Sequence, residues 1–236
     1  MRVGGFDFAP RPVPTVAAVA MVALTFSLGQ WQSRRAAEKA HWQSLLESRQ
    51  AEAPLTLSGV PGSAAELLFR RVRAAGRFVP EGQIFVDNRI HGGRAGFHVV
   101  TPLAIAGSRA QLLVNRGWIA RDGNYPAPPS VPVPAGEVVV EGLATVPPAR
   151  VIELSADTVS GSVWQNLSLE RYAARARREV FPVVVLAAPP APGLAAVVEK
   201  PDAGIAKHRE YSLTWYSLAV TVTALWLGLN LRRSAP

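Results

Sequence analysis

The stretch Lys207-His208-Arg209-Glu210-Tyr211-Ser212-Leu213-Thr214-Trp215-Tyr216, followed by Ser217 to Leu231 and then Arg232-Arg233, decides the fold. From Tyr211 to Leu231 there are 21 consecutive positions without a charged side chain. At about 1.5 Å per helical residue such a run covers roughly 31 Å, matching the ~30 Å hydrocarbon core of a bilayer. The stretch therefore predicts a membrane-spanning helix with His208 at its mouth, where lipid meets water. On a helix, His208, Tyr211 or Ser212, Trp215 and Ala219 fall on one face. An imidazole above an aromatic stripe suits a flat apolar ring system that carries a metal. The neutral ring nitrogen would meet iron, and Tyr211 and Trp215 would pack against the macrocycle. The plainer alternative is an interfacial histidine hydrogen-bonded to headgroups or water.

Working outward, a second uncharged run of 22 residues lies at the other end, Pro12 to Ser33, between Arg11 and Arg34. Pro14 suits the first turn of a helix. A cleaved signal peptide has the same basic start. Ala18-Val19-Ala20 is the run's one Ala-x-Ala site, however, and few apolar residues precede it, so a retained anchor is expected. The helix should continue past the membrane: Trp31, Arg35, Glu38 or Lys39, Trp42 and Leu45 or Leu46 keep helical spacing, and nothing breaks it before Pro54. Trp31 falls at the expected interface, where an indole sits well. The expected organisation is a tail at 1–11, a first span at 12–33, an extramembrane domain at 34–210, a second span at 211–231 and a tail at 232–236. Within the domain, 34–53 extends the first helix. Arg2, Arg11, Arg232 and Arg233 favour both tails inside, while Arg34, Arg35 and Lys39 nearly cancel that preference.

The intervening segment reads mostly as strand. Arg71 to Val79 alternates, with Val72, Ala74, Gly76 and Phe78 on one face. Gln83 to Asn88 follows the turn Pro80-Glu81-Gly82. His91 to Gly96 reads as a flexible connection. Phe97–Ile105 and Gln111–Ile119 read as a strand pair around Ala106-Gly107-Ser108-Arg109, and Glu137–Val146 and Val180–Ala187 as further strands. Tyr125 to Pro134 carries five prolines and reads as a surface loop. Ser168 is placed to cap a helix from Leu169 to about Arg177. Ala188 to Gly193 is a Pro-rich loop. The expected fold class is a membrane protein of α+β type: two terminal transmembrane helices flanking a mainly antiparallel β domain.

Composition narrows the chemistry. The 236 residues are 49% apolar and 18% charged, with a formal charge of +8 and no cysteine. The absence of cysteine removes disulfides, thiolate catalysis, iron–sulfur clusters and covalent c-type haem attachment. Lys and Arg are scattered rather than grouped with aromatics, so anionic lipid headgroups fit the charge better than nucleic acid. No His-Glu-x-x-His, Gly-x-Ser-x-Gly, P-loop or dinucleotide fingerprint occurs; Ser160-Gly161-Ser162 is a turn. Of the four histidines, His41 lies on the projecting helix, His91 in a glycine loop and His98 in an apolar strand run. Asn88-Arg89 and Asn115-Arg116-Gly117-Trp118 end strand-like runs. Sheet-edge pairing and a bulge account for them structurally; anion recognition by guanidinium forks, for example of porphyrin carboxylates, is the functional alternative.

Assembled in order, these stretches resemble the surfeit locus protein 1 family, membrane-bound assembly factors of cytochrome c oxidase. The resemblance is carried by Leu28-Gly29-Gln30-Trp31-Gln32 with Arg35 and Lys39, and by Arg71-Val72, Gly76-Arg77-Phe78 and Asn88-Arg89. It continues through Gly96-Phe97-His98-Val99-Val100-Thr101-Pro102-Leu103, Leu113-Val114-Asn115-Arg116-Gly117-Trp118-Ile119 and, more weakly, Trp164-Gln165-Asn166. It ends on His208-x-x-Tyr211-x-x-Thr214-Trp215-Tyr216. The resemblance implies two spans, with the large domain in the bacterial periplasm or the mitochondrial intermembrane space. For this chain it implies a bacterial cytoplasmic membrane. It also implies a non-enzymatic role in which haem a is bound as transient cargo and delivered to oxidase subunit I, with the haem a synthase as a further partner. His208 maps onto the haem-linked histidine. The expected site is His208 on the iron, Tyr211 and Trp215 over the ring, and Trp31 with Arg35 closing it; Asn88, Arg89, His98, Asn115, Arg116, Gly117 and Trp118 are structural or partner-binding candidates. Relatives often carry Asn two positions before this histidine; here Ala206 stands there, so an orienting role would fall to Lys207 or Ser212. The rivals are a haem-independent scaffold for subunit I and a membrane-tethered enzyme.

Overall fold

The structure is a computed structural model that describes residues 2–3, 6–59, 61–147, 159–198 and 204–233. In chain order the elements are β1 (Arg2–Val3), β2 (Phe6–Phe8), α1 (Pro12–Ala51), β3 (Leu55–Leu57), α2 (Ala64–Leu67), β4 (Arg71–Phe78), β5 (Ile84–His91), β6 (Arg94–Ile105), β7 (Gln111–Ala120), β8 (Glu137–Thr145), β9 (Val159–Ser160), β10 (Val163–Trp164), α3 (Leu169–Ala176), β11 (Val180–Ala187), α4 (Ile205–Asn230) and β12 (Leu231–Arg233). They divide into two units, Met1–Ser44 with Lys200–Pro236, and Leu45–Glu199.

The first unit is built on α1 and α4, both long and apolar enough to cross a membrane. Val13, Val16, Val19, Leu213 and Leu229 stand exposed along them, the surface that hydrocarbon would cover. α1 runs through the expected extension without a break. α4 differs from its expected bounds: it starts at Ile205, so His208 lies in its first turn, and it ends at Asn230 because Leu231 turns into strand. β12 pairs with β2 (Leu231 opposite Phe8), and β2 pairs with β1. The two chain ends thus share one small sheet at one end of the helix pair; Met1, Gly4, Gly5 and Ser234–Pro236 of the expected tails lie outside the described residues.

The second unit is a sheet that closes on itself. β4 pairs with β8, β8 with β11, β11 with β7, β7 with β6, and the end of β6 returns to β4 through Gly76–Phe78 opposite Leu103–Ile105. Closure is possible because β6, at 12 residues, is long enough to pair β5 along its first half and β4 along its last and leaves no open edge on the ring. Inside the ring pack Val72, Ala74, Leu103, Leu112, Val114, Ala144, Phe181 and Val183. β4 buries Val72, Ala74 and Gly76 by strict alternation. A second cluster joins Ile84, Val100, Leu113, Trp164, Tyr172 and Val184 beneath α3. Ser168 caps that helix by accepting from the Arg171 amide at 3.2 Å, and Arg177 ends it in the left-handed conformation.

The sheet is mostly antiparallel, yet β3–β4, β5–β10 and β7–β11 are parallel. The β7–β11 pair is joined by a long crossover through β8 and α3, which antiparallel hairpin spacing does not foretell. His91 to Gly96 departs from the expected flexible connection: β5 extends to His91 and β6 begins at Arg94, leaving only Gly92-Gly93 as a two-residue hairpin turn. The proline-rich loop from Tyr125 to Pro134 forms no strand, as expected, but it folds back on the sheet. Val131 packs against Phe85, Phe97 and Val99, and its carbonyl accepts from Gln83 Nε2 at 3.1 Å.

Candidate functional site

In the helix pair, contacts that rise along α1 fall along α4, so the two run antiparallel. Thr15 Oγ1 accepts from Trp226 Nε1 at 3.1 Å; further along, Ser33 and Ser212 share a hydroxyl–hydroxyl bond of 2.7 Å. Between them a Cβ on Gly29 would lie 2.8 Å from the Tyr216 ring, so the absent side chain is what lets the ring close the seam. Small residues and buried hydroxyls are what helices use to associate in lipid, where apolar side chains gain nothing from leaving it. Ser212 and Ala219 are the buried members of α4 in this stretch; of the expected face, the seam takes Ser212 rather than Tyr211.

His208 sits at the end of that seam. Its Nδ1 lies 2.6 Å from Gln32 Oε1. A carbonyl oxygen only accepts, so Nδ1 is the donor in this contact, and in the uncharged form of the ring the lone pair then lies on Nε2. The orienting role left open by Ala206 therefore falls to neither Lys207 nor Ser212, which is bonded to Ser33. It falls to Gln32, on the other helix, inside the quoted Leu28–Gln32 motif. A long-range partner of this kind gives no local spacing signal, so the sequence reading missed it. Tyr211, 57% exposed, and Trp215, half-buried, lie along the flank of α4 one turn and two turns on from His208. Trp31 and Arg35 lie on α1, the helix that carries Gln32. By helical rotation Trp31 points away from the seam marked by Gly29 and Ser33 and is 49% exposed, and Arg35 is engaged by Glu38 at 2.9 Å on its own helix.

Among the described residues no group of three or more His, Cys, Asp or Glu could hold a bare metal ion. A single imidazole with one free nitrogen, flanked by two aromatic rings, instead fits a metal that arrives inside a macrocycle supplying its own in-plane nitrogens.

The sheet motifs gather elsewhere. Arg116 is the bulged residue of β7: Val99 faces Gly117 and Val100 faces Asn115. It is only 4% exposed, and its guanidinium donates to Gln83 Oε1 at 3.1 Å and to Pro132 O at 2.9 Å while stacking 5.4 Å from the Phe78 ring. Burial holds its pKa below the ordinary arginine value. Asn115 Oδ1 accepts the Gly117 amide at 3.1 Å. Gly117 has φ 143°, and a Cβ there would meet Leu194 Cβ at 2.6 Å, so no other residue suits the position. Trp118 Nε1 donates to Arg89 O at 2.7 Å. Asn88 holds a left-handed turn at φ 58°. Structural duties thus account for Asn88, Arg116, Gly117 and Trp118. Arg89, His98 and Asn115 line a cleft of about 240 Å³ in the sheet unit.

Two membrane-length helices paired through a polar seam, with a closed, mostly antiparallel sheet encoded between them, define a membrane-anchored β-domain protein. The SURF1 family model matches residues 19–220, and the chain belongs to that family. It is 25% identical to a SURF1-like protein of Monosiga brevicollis over 97% of this chain and 89% of that protein. It is 26% identical to Surfeit locus protein 1 of Mus musculus over 90% and 74% of the two chains, and 23% identical to a SURF1-like protein of Rickettsia felis over 88% and 94%.

Proposed function

We propose that this protein is a non-catalytic factor in cytochrome c oxidase biogenesis, and that it carries haem a on His208 for insertion into oxidase subunit I. The observation that carries the reading is the Gln32–His208 bond of 2.6 Å, which supports a ring oriented with Nδ1 as donor and Nε2 open to an iron ligand site. Tyr211 and Trp215 offer aromatic faces along the ring on the flank of α4. A single imidazole as the chain's ligand would suit a cargo that has to be handed on. In this reading α1 and α4 span the cytoplasmic membrane, both tails are cytoplasmic, and the sheet unit is outside. The shared sheet of the two tails, β2 with β12, supports a hairpin of two spans. The haem a synthase is the source from which cargo would come.

The test is co-production of the full chain with the haem a biosynthetic enzymes, followed by purification and absorption spectroscopy. The reading predicts a haem a spectrum co-purifying with the protein in substoichiometric to equal amount. Protein that assembles oxidase yet never carries the pigment would leave a scaffold for subunit I as the function.

A further inference from the structure

Arg89, His98 and Asn115 came out of the sequence as motif residues, and the haem reading gives them no role. They meet at the cleft of about 240 Å³ between β5, β6, β7 and β11. Its seat is apolar: Val86, Val100 and Val184 are all buried. Asn166 closes one side and receives Arg89 Nη2 at 3.2 Å; the same nitrogen donates to Gln165 O at 3.2 Å. Both of those acceptors are neutral. The nearest carboxylate, Asp87, is already occupied: Arg121 donates to it through Nε at 3.1 Å and Nη2 at 2.8 Å, and Tyr125 Oη donates to it at 3.2 Å. Arg89 Nε is buried and has no hydrogen-bond partner among the described residues. A buried N–H left unpaired on a cation is costly, and native structures leave few without a reason. Burial and the neighbouring Arg89 keep the His98 ring neutral, so it does not compete for an anion's counter-charge but can exchange a hydrogen bond with it.

We propose that this cleft binds a carboxylate borne on a short aliphatic body, with Arg89 as the anion's partner, Asn166 and His98 at its polar edge, and Val86, Val100 and Val184 around the aliphatic part. Size sets the class. At about 240 Å³ the cleft lies below the range of roughly 300–1,000 Å³ that takes drug-sized ligands, so a macrocycle does not fit and a fragment of a few carbons does. The carboxylate can be a free small acid or the C-terminus of a polypeptide ending in an aliphatic residue; both present the same group. The site is independent of haem carriage and stands or falls separately from it.

The experiment uses the full chain in lipid nanodiscs, titrated with carboxyl-labelled pentanoate and followed by NMR of the probe and of the histidine ring nitrogens. Saturable binding in the millimolar range is expected, with 1-pentanol binding at least tenfold more weakly. Arg89→Gln should weaken pentanoate by about 10- to 100-fold, the range for losing hydrogen bonds to a charged group. Because Arg89 also ties β5 to Gln165 and Asn166, Val197→Trp serves as a second variant that fills the cleft from its rim. It should abolish binding with unchanged circular dichroism. N-acetyl-Ala-Ala-Val against its C-terminal amide separates the sources: tighter binding of the acid than of pentanoate assigns a chain terminus, weaker binding a free acid. Equal binding of pentanoate and pentanol, equal binding of peptide acid and amide, wild-type affinity in both variants, or no saturation at all would overturn the proposal.

Discussion

In the helix unit, Gln32, Ser33, His208 and Ser212 meet across a seam between two otherwise lipid-ready helices, and one imidazole nitrogen is left over. In the sheet unit, Arg116 is buried more deeply than any of these but has both ends of its guanidinium tied to Gln83 and Pro132. The contrast separates two reasons for a polar residue to sit in a motif. Within the sheet a polar group is mostly consumed by the backbone geometry around it; at the helix mouth it is held in place with a donor or acceptor to spare. Arg89 and Trp164 break the pattern among the described sheet residues, since each keeps a buried N–H unspent, and of the two only Arg89 carries a charge and lines a cleft.

The sheet side of this contrast breaks first under core truncation. Phe181 is fully buried inside the ring, and Phe181→Ala should cost about 3–5 kcal/mol. A urea melt of the full chain in detergent, read by tryptophan fluorescence, measures it; a loss under 1 kcal/mol would mean the ring core is not the stabilising element. Next comes acid. Burial first, then Arg89 and His91, hold the His98 pKa down to about 4, against 6.5 for a free histidine. Above pH 6.5 neither state is protonated and the residue has no effect. As pH falls from 6.5 to 4 the unfolded chain takes up a proton that the folded chain refuses, so stability declines over that window by up to about 3 kcal/mol and levels off below it. Chemical denaturation across pH 4 to 7 shows the slope, and His98→Gln should flatten it.

The helix side is sharpened by Gln32→Leu, which removes the acceptor and keeps the bulk. Loss of a partner that orients a metal-bound imidazole typically costs about 10- to 100-fold in affinity. Haem titration of purified protein measures the weakening, and a shifted iron–imidazole stretch in resonance Raman would show that orientation, not folding, has changed. The smallest effect belongs to Arg35→Ala. Its exposed pair with Glu38 contributes at most about 0.5 kcal/mol, so thermal melting should barely move.

How much of this the sequence carried depended on whether a signal was local. The two apolar runs, the alternation of Val72, Ala74 and Gly76 in β4, and the Ser168 cap are each written within a few neighbouring residues, and each lies where the spacing placed it. The β7–β11 pairing was hidden because its partners are far apart in the chain and a buried strand in the middle of a sheet reads the same whether its neighbour is parallel or antiparallel. His208 was legible from its position at the head of an uncharged run. Gln32 was not, because its role rests on a contact 176 residues away. Trp31 and Arg35 were placed by distance along α1; Arg35 lies one helical turn on from Gln32, while Trp31 points away from the Gly29–Ser33 seam. The small strands β3, β9 and β10 are too short for any pattern to appear.

The most direct measurement is the absorption spectrum of protein purified after co-production with haem a, compared between His208→Ala and Arg89→Gln. The helix-mouth account predicts that the pigment is lost from the first variant and retained in the second, with both folded by circular dichroism. Pigment that survives in His208→Ala and disappears in Arg89→Gln would contradict it and move haem binding to the sheet unit.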